Sequence, residues 1–144
     1  MKIMSLNCRV LARPQKRSTI KRLVDLEHPD ILLLQETLGV GDVLKCRLES
    51  WFTGWNFETL DIRGRSRGLA IGWNVRNVKV LNLWGMDSVL GLTFKALELV
   101  DTFTIFNVYG PYLNRIPFLD NLFNNSLLRG DMVIIGRDLN FSLG

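Results

Sequence analysis

Five polar residues stand directly after apolar stretches of the sequence, and together their side chains suit chemistry on a phosphate ester. They are Asn7 after "KIMSL", Glu36 after "ILLLQ", Tyr109 after "FTIFNV", and Asp138 and Asn140 after "MVIIGR". Carboxylate oxygens are preferred ligands of Mg²⁺, while amide and phenol groups donate hydrogen bonds to phosphate oxygens. Metal-assisted attack of water on a phosphodiester requires this combination of groups.

Each of these residues also has a more ordinary interpretation when it is taken singly. A Glu-Thr or an Asp-Leu-Asn sequence at the end of a strand is more often a helix cap or a turn. Their joint occurrence favours a shared site, because strand ends on one rim of an α/β sheet commonly assemble ligand sites on a rigid scaffold.

The first half of the chain contains the elements that would position Asn7 and Glu36. A strand is predicted from Lys2 to Asn7, and a helix begins at Pro14, a residue that suits the first helical turn. "ILLLQET" is too apolar to alternate, which predicts a strand covered on both faces. A short helix is predicted from Gly41 to Leu48.

The second half of the chain reads as short strands between turns. They are predicted in "FETLDI", "GLAIGWN", "VKVLNLW", "LGLTFKALEL" and "FTIFNVY". The last three alternate as strands with one buried face do. A helix is predicted from Arg115 to Leu128, before the buried strand "DMVIIG". This order predicts one α/β domain over residues 1–144, a sandwich of two sheets flanked by helices.

Composition restricts the class of protein. The chain is 47% hydrophobic and 22% charged, which is typical of globular proteins. Its longest apolar runs have four residues, against about 20 for a membrane span. No secretory signal is visible, so we expect an intracellular protein without a membrane partner. Cys8 and Cys46 are predicted to be buried thiols, and His28, beside Pro29, to lie in a turn without a catalytic role.

The net charge of +4 is concentrated in clusters. Six basic residues and no acidic ones lie between positions 9 and 22, and a second cluster comprises Arg63, Arg65 and Arg67. Such clusters favour a polyanionic partner such as nucleic acid. The alternative is a solvated helix face and a solvated loop, and charge alone does not distinguish the two.

Taken in order, these stretches resemble the endonuclease/exonuclease/phosphatase family of Mg²⁺-dependent phosphoesterases. The likeness is greatest to the endonuclease domain of plant LINE-type (non-LTR) retrotransposons. It extends over essentially the whole chain, and its most specific motifs are "LNCR", "PDILLLQET", "NVYGP" and "GRDLN".

The resemblance implies a role for each candidate residue. Glu36 would be the principal ligand of Mg²⁺, or of Mn²⁺ in its place, with Asn7 holding the metal-bound carboxylate and touching the phosphate. Tyr109 would donate a hydrogen bond to the scissile phosphate, Asp138 would align or activate the attacking water, and Asn140 would support the phosphate as charge builds up. The resemblance also implies DNA as partner, contacted by residues of the first basic cluster: Arg9, Arg13, Lys16 and Arg17.

The sequence departs from the family pattern in two respects. The family continues into a C-terminal part with further strands and an Asp-His pair that acts at the scissile phosphate, so we expect a C-terminally truncated domain. Arginine also stands where the family has glycine at Arg67 and Arg137. Three functions follow: a monomeric DNA endonuclease of retrotransposon origin, nuclear if functional and impaired by the missing part; a non-catalytic remnant that at most binds nucleic acid; or, less favoured, a phosphatase of small esters.

Overall fold

Ten elements form the part of the chain that the computed structural model describes, which is residues 1–9, 14–38, 41–61, 68–86, 89–97, 99–108 and 132–137. In order they are β1 (Ile3–Asn7), α1 (Pro14–Glu27), β2 (Ile31–Gln35), α2 (Gly41–Trp51), β3 (Trp55–Leu60), β4 (Leu69–Asn74), β5 (Val78–Met86), β6 (Val89–Ala96), β7 (Thr102–Val108) and β8 (Met132–Arg137). Every strand predicted from the sequence is confirmed, as are the first two helices. The predicted helix from Arg115 to Leu128 lies outside the described residues.

The strands form two four-stranded sheets, with orders β1-β2-β4-β3 and β5-β6-β7-β8. The pairs β1–β2 and β7–β8 are parallel, and the other neighbours are antiparallel. The prediction of an α/β domain with two packed sheets is therefore confirmed. Each parallel pair brings two strand C-termini to one edge of its sheet, and these edges carry the candidate site.

The first sheet is packed on both faces, most completely at β2 and β4. Its inner face meets the second sheet in a cluster that includes Ile31, Leu33, Ile71, Phe94 and Ile105. Its outer face is covered by α1 and α2 through a second cluster, which includes Ile20, Val24, Leu44, Leu48, Leu32 and Leu34. All five residues of β2 are buried. The unbroken apolar run in the sequence reflects this position between two layers.

Strands β6 and β7 correct the prediction of one buried face. Every residue of β6 except Lys95 is buried, and so are the last five residues of β7. On the outer face of β6, the ring of Trp84 lies across Gly91, where an added Cβ would come within 2.4 Å of the indole. Small and threonine side chains at alternate positions therefore mark a closely covered face here, not a solvated one.

Helix α1 ends in a left-handed cap. His28 has φ +47°, and its N–H donates to the Val24 carbonyl at 2.9 Å. This is a common way to terminate a helix, and it gives the only histidine of the sequence a structural role. No helix among the described residues is both long and apolar enough to cross a membrane.

Candidate active site

The ends of β1 and β2 lie side by side and bring two predicted site residues together. Asn7 and Gln35 are register partners in this parallel pair, and the Cys8 N–H donates to the Gln35 carbonyl at 2.8 Å. Glu36 follows Gln35 directly, so it lies at the same edge as Asn7. We call this edge the rim.

The backbone at the rim is held in unusual conformations. Glu36 has φ +54°, Leu38 φ +52° and Arg9 φ +40°. Residues other than glycine rarely adopt the left-handed region, and such outliers cluster at functional sites. At Glu36 this conformation ends β2 and breaks the alternation of its side chains. The Glu36 carboxylate is half-buried, and no described residue forms an ion pair with it.

Asn7 is fixed in orientation by its own turn. Its Oδ1 accepts a hydrogen bond from the Arg9 N–H at 3.0 Å, the arrangement of an Asx-turn. The side chain is half-buried.

The second sheet reaches the same rim through β7. Asn107, the penultimate residue of β7, accepts a hydrogen bond from Gln35 Nε2 at 2.9 Å. Val108 pairs with Arg137 in the parallel register of β7 and β8, so both of these strands also end at the rim. The predicted site residues Tyr109, Asp138 and Asn140 follow these strand ends in the sequence and lie outside the described residues.

A buried thiol lies beneath the rim. Burial raises the pKa of Cys8 from 9.0 to about 12. The charge of Lys16 lowers this pKa, the Glu36 carboxylate raises it, and the backbone hydrogen bond with Gln35 lowers it. The charges of Lys16 and Glu36 thus both affect the pKa of Cys8, because both side chains lie near the rim. The prediction of two buried thiols is wrong for Cys46, which is exposed on α2 because it faces away from the first sheet.

The predicted nucleic-acid contacts are distributed around this rim and along α1. Arg9 is exposed beside Asn7, and Lys16 is half-buried in the first turns of α1. Arg17 is exposed, and its guanidinium stacks on the ring of Trp51, 5.0 Å from the centroid. Arg17 therefore joins α1 to α2 whatever else it contacts. Arg13 and the cluster Arg63, Arg65 and Arg67 lie outside the described residues.

Sequence reasoning overlooked three buried polar residues near the rim. Gln35, Thr37 and Asn107 are each at most 1% exposed, and Thr37 Oγ1 has no hydrogen-bond partner within the described part of the chain. The signal was available, because Gln35 and Asn107 interrupt the apolar runs "ILLLQ" and "TIFNV".

The described residues supply oxygen donors for a cation but no complete cage. They contain no group of three or more His, Cys, Asp and Glu side chains placed to hold a metal ion. His28 lies beyond the opposite end of β2 and cannot contribute at the rim. Glu36 and Asn7 are the oxygen donors that the described part of the rim offers, which suits a hard cation such as Mg²⁺.

No protein-family model matches the sequence, and no curated protein matches it either. Solved structures do match. The human Nocturnin catalytic domain with bound sulfate superposes with a TM-score of 0.74 at 18% identity, over 97% of this chain and 64% of that chain.

Two further structures show the same likeness. An endonuclease/exonuclease/phosphatase family protein from Bacteroides thetaiotaomicron has a TM-score of 0.69 at 15% identity, over 96% of this chain and 62% of its own. D. rerio TDP2 complexed with single-strand DNA product has a TM-score of 0.69 at 16% identity, over 97% of this chain and 60% of its own. The chain thus spans less than two thirds of each relative, and it has the endonuclease/exonuclease/phosphatase fold.

Proposed function

We propose that this chain is a metal-dependent phosphoesterase domain that acts on DNA and derives from a LINE-type retrotransposon endonuclease. One observation carries the proposal: strand ends from both sheets meet at one rim, where Glu36 and Asn7 lie together. Two further points support it. The fold is shared with phosphoesterases, and a TDP2 structure of this fold holds single-strand DNA.

The donors at the rim suit Mg²⁺, or Mn²⁺ in its place. Glu36 is half-buried and free of ion pairs with the other described residues, so its carboxylate can face a cation. Asn7 presents an amide whose orientation is fixed by the Arg9 N–H. A bound cation of this kind withdraws charge from a phosphate oxygen. Glu36 would hold it, and Asn7 would orient that carboxylate and contact the phosphate.

The remaining roles extend the proposal to residues that follow β7 and β8 in the sequence. Tyr109 would donate its phenolic hydrogen bond to the scissile phosphate. Asp138 would accept a hydrogen bond from the attacking water and so align it, or would take up its proton as the water attacks. Asn140 would donate to a phosphate oxygen as negative charge develops there. These assignments rest on the resemblance and on the chemistry of the side chains.

We expect weak hydrolysis by these 144 residues alone. The only histidine of the sequence caps α1 at the far end of β2, so no histidine is available at the rim. The loss of a general acid/base or a phosphate ligand lowers rates by several powers of ten. The alternative is a domain that binds DNA without cleaving it. Both candidates would bind DNA, so only an assay of DNA nicking distinguishes the endonuclease from the non-catalytic domain.

Metal binding tests the proposal most directly. We expect Mn²⁺, followed by electron paramagnetic resonance, to bind at one site in the wild-type protein and to be lost or much weakened in Glu36→Gln. Asp25→Asn is the matched control, because Asp25 is an exposed carboxylate on α1. Equal Mn²⁺ binding by Glu36→Gln and wild type would remove the basis of the proposal.

Nicking of supercoiled plasmid with Mg²⁺ then separates the alternatives. We expect little nicking by the wild-type chain. Clear nicking that disappears in Glu36→Ala would show that the rim is catalytically sufficient without a histidine. Release of phosphate from small esters, without DNA binding, would instead favour the phosphatase alternative.

A further inference from the structure

Two amide side chains lie buried side by side between the sheets, directly beneath the rim. Gln35 is 1% exposed and Asn107 is fully buried. Gln35 Nε2 donates to Asn107 Oδ1 at 2.9 Å, which joins β2 of the first sheet to β7 of the second. The main cluster of buried residues between the sheets is built from apolar side chains, so a polar pair beside it needs a reason.

The pair is the centre of a network that reaches four strands. Asn107 Nδ2 donates to the carbonyls of Leu34 at 3.1 Å and Ala70 at 2.9 Å, which are register partners on β2 and β4. Gln35 Nε2 also donates to Ser5 Oγ on β1, at 2.9 Å. Both N–H groups of each amide are therefore used.

Each of the three side chains in the network belongs to a residue that stands one or two positions before a candidate site residue. Gln35 directly precedes Glu36, and Ser5 lies two residues before Asn7 on the same face of β1. Asn107 lies two residues before Tyr109, at the end of β7. A displacement of any member would be transmitted to its neighbour over one or two peptide units.

We propose that Gln35 and Asn107 are positioning residues that hold the ends of β1, β2 and β7 in one fixed arrangement, so that Glu36 and Asn7 can share a cation. This inference rests on the proposed function. Apolar contacts between two sheets have no preferred direction, whereas hydrogen bonds are directional. Buried amides of this kind can fix a unique arrangement when all their groups are satisfied.

The test compares two buried residues of β7, Asn107 and Thr104, whose side chains form hydrogen bonds with other strands. Asn107→Ala removes the centre of the network. Thr104→Val is the matched control, because it removes the buried bond between the Thr93 and Thr104 hydroxyls (3.0 Å) and adds no charge. Ser5→Ala is a milder variant that removes only one bond of the network, and Ser5 is exposed, so this variant will fold.

Two readouts are needed, one with Mn²⁺ and one without metal. We expect the Mn²⁺ dissociation constant to increase about tenfold or more in Asn107→Ala, as for other residues that orient metal ligands, and to remain within about twofold in Thr104→Val. Without metal, we expect amide hydrogen exchange of Cys8 and Thr37, whose N–H groups bond across the rim, to accelerate in Asn107→Ala and less strongly in Ser5→Ala. Thr104→Val should leave the exchange of these two amides unchanged.

The two readouts separate failure of the inference from failure of the proposed function. If wild-type protein binds no Mn²⁺ but exchange at Cys8 and Thr37 accelerates only in the network variants, the proposed function fails and the positioning role stands. If exchange at these amides responds equally to Thr104→Val, the network is one more stabilising contact and the inference is wrong. Should Asn107→Ala fail to fold, Ser5→Ala carries the same comparison.

Discussion

Glu36 occupies a backbone conformation that costs a residue other than glycine about 1–2 kcal/mol, and Leu38, two residues later, does the same. Between them Thr37 is buried with a hydroxyl that lacks a partner among the described residues. A segment that served only to connect β2 to α2 would gain nothing from these unfavourable backbone conformations and from the buried hydroxyl. At the residue scale, strain at Glu36 is therefore best explained by the direction in which its carboxylate must point.

Cys8 provides a prediction about pH. In the unfolded chain the thiol has a pKa of 9.0, and burial raises it to about 12 in the folded protein. The unfolded chain therefore loses its proton first as the pH rises. The stability contributed by the buried neutral thiol is complete below pH 9 and is lost as the pH approaches 12. We expect the urea midpoint to fall more between pH 8 and pH 10 in wild type than in Cys8→Ala. An equal decrease would contradict this explanation.

Gly68 and Gly54 provide a matched pair of substitutions. Both have positive φ, +89° and +82°, but an added Cβ at Gly68 would lie 2.5 Å from Thr37 Oγ1, whereas nothing lies within 4 Å at Gly54. We expect Gly54→Ala to cost about 1 kcal/mol for the backbone alone. Gly68→Ala should cost a further 1–3 kcal/mol, roughly, because Thr37 must shift. Urea unfolding measures both, and equal costs would show that Thr37 moves freely.

At the scale of elements, the two described helices serve the outer face of the first sheet and are tied to each other. Their apolar faces share one cluster with β2, and Arg17 of α1 stacks on Trp51 of α2. The side chain of Arg17 is thus held in place by a contact within the protein that involves no ligand. Any binding role for Arg17 must be separated from this contact.

The stacking contact can be measured alone. Arg17→Ala should lower the free energy of unfolding by about 0.5–1 kcal/mol, since the cation–π contact at the surface is lost. Arg22→Ala, an exposed arginine on the same helix, should change it by less than about 0.5 kcal/mol. If both variants unfold at the same urea concentration, the stacking seen between α1 and α2 contributes nothing measurable.

At the scale of the whole molecule, basic residues lie both near the rim and away from it. Lys16 and Arg9 lie close to the rim, whereas Lys79 is exposed on β5 and pairs with Lys95 at the end of the second sheet that lies away from the rim. A phosphate backbone that crosses the rim would meet Lys16 and Arg9 and not Lys79. This difference in position allows a test of where DNA would lie if the proposed function is right.

A salt series tests this placement of the DNA. We expect the association constant for duplex DNA to fall with salt, and Lys16→Ala to reduce the slope of log K against log[salt] by about 0.9, the value of one phosphate contact. Lys79→Ala should leave the slope unchanged. Absence of DNA binding at low salt would exclude both the endonuclease and the DNA-binding remnant. Equal effects of the two lysines would indicate unspecific attraction to a basic protein.

The sequence by itself determined the order of elements, because apolar periodicity, Pro14 and the motif residues are local properties. The unbroken run of β2 even indicated a strand between two layers. The motifs that carry the resemblance also predicted the fold, and they predicted that Asn7 and Glu36 act at one site.

Only the tertiary structure decided which side chains meet across the layers. Gln35 and Asn107 are 72 positions apart, and no local pattern says that two amides so distant form one hydrogen bond. Within the second sheet, the structure also showed that the ring of Trp84 lies across its register partner Gly91, so this face of β6 is covered. Contacts between the sheets depend on which face each sheet turns toward the other. This arrangement is determined only when the whole chain buries its apolar surfaces at the same time.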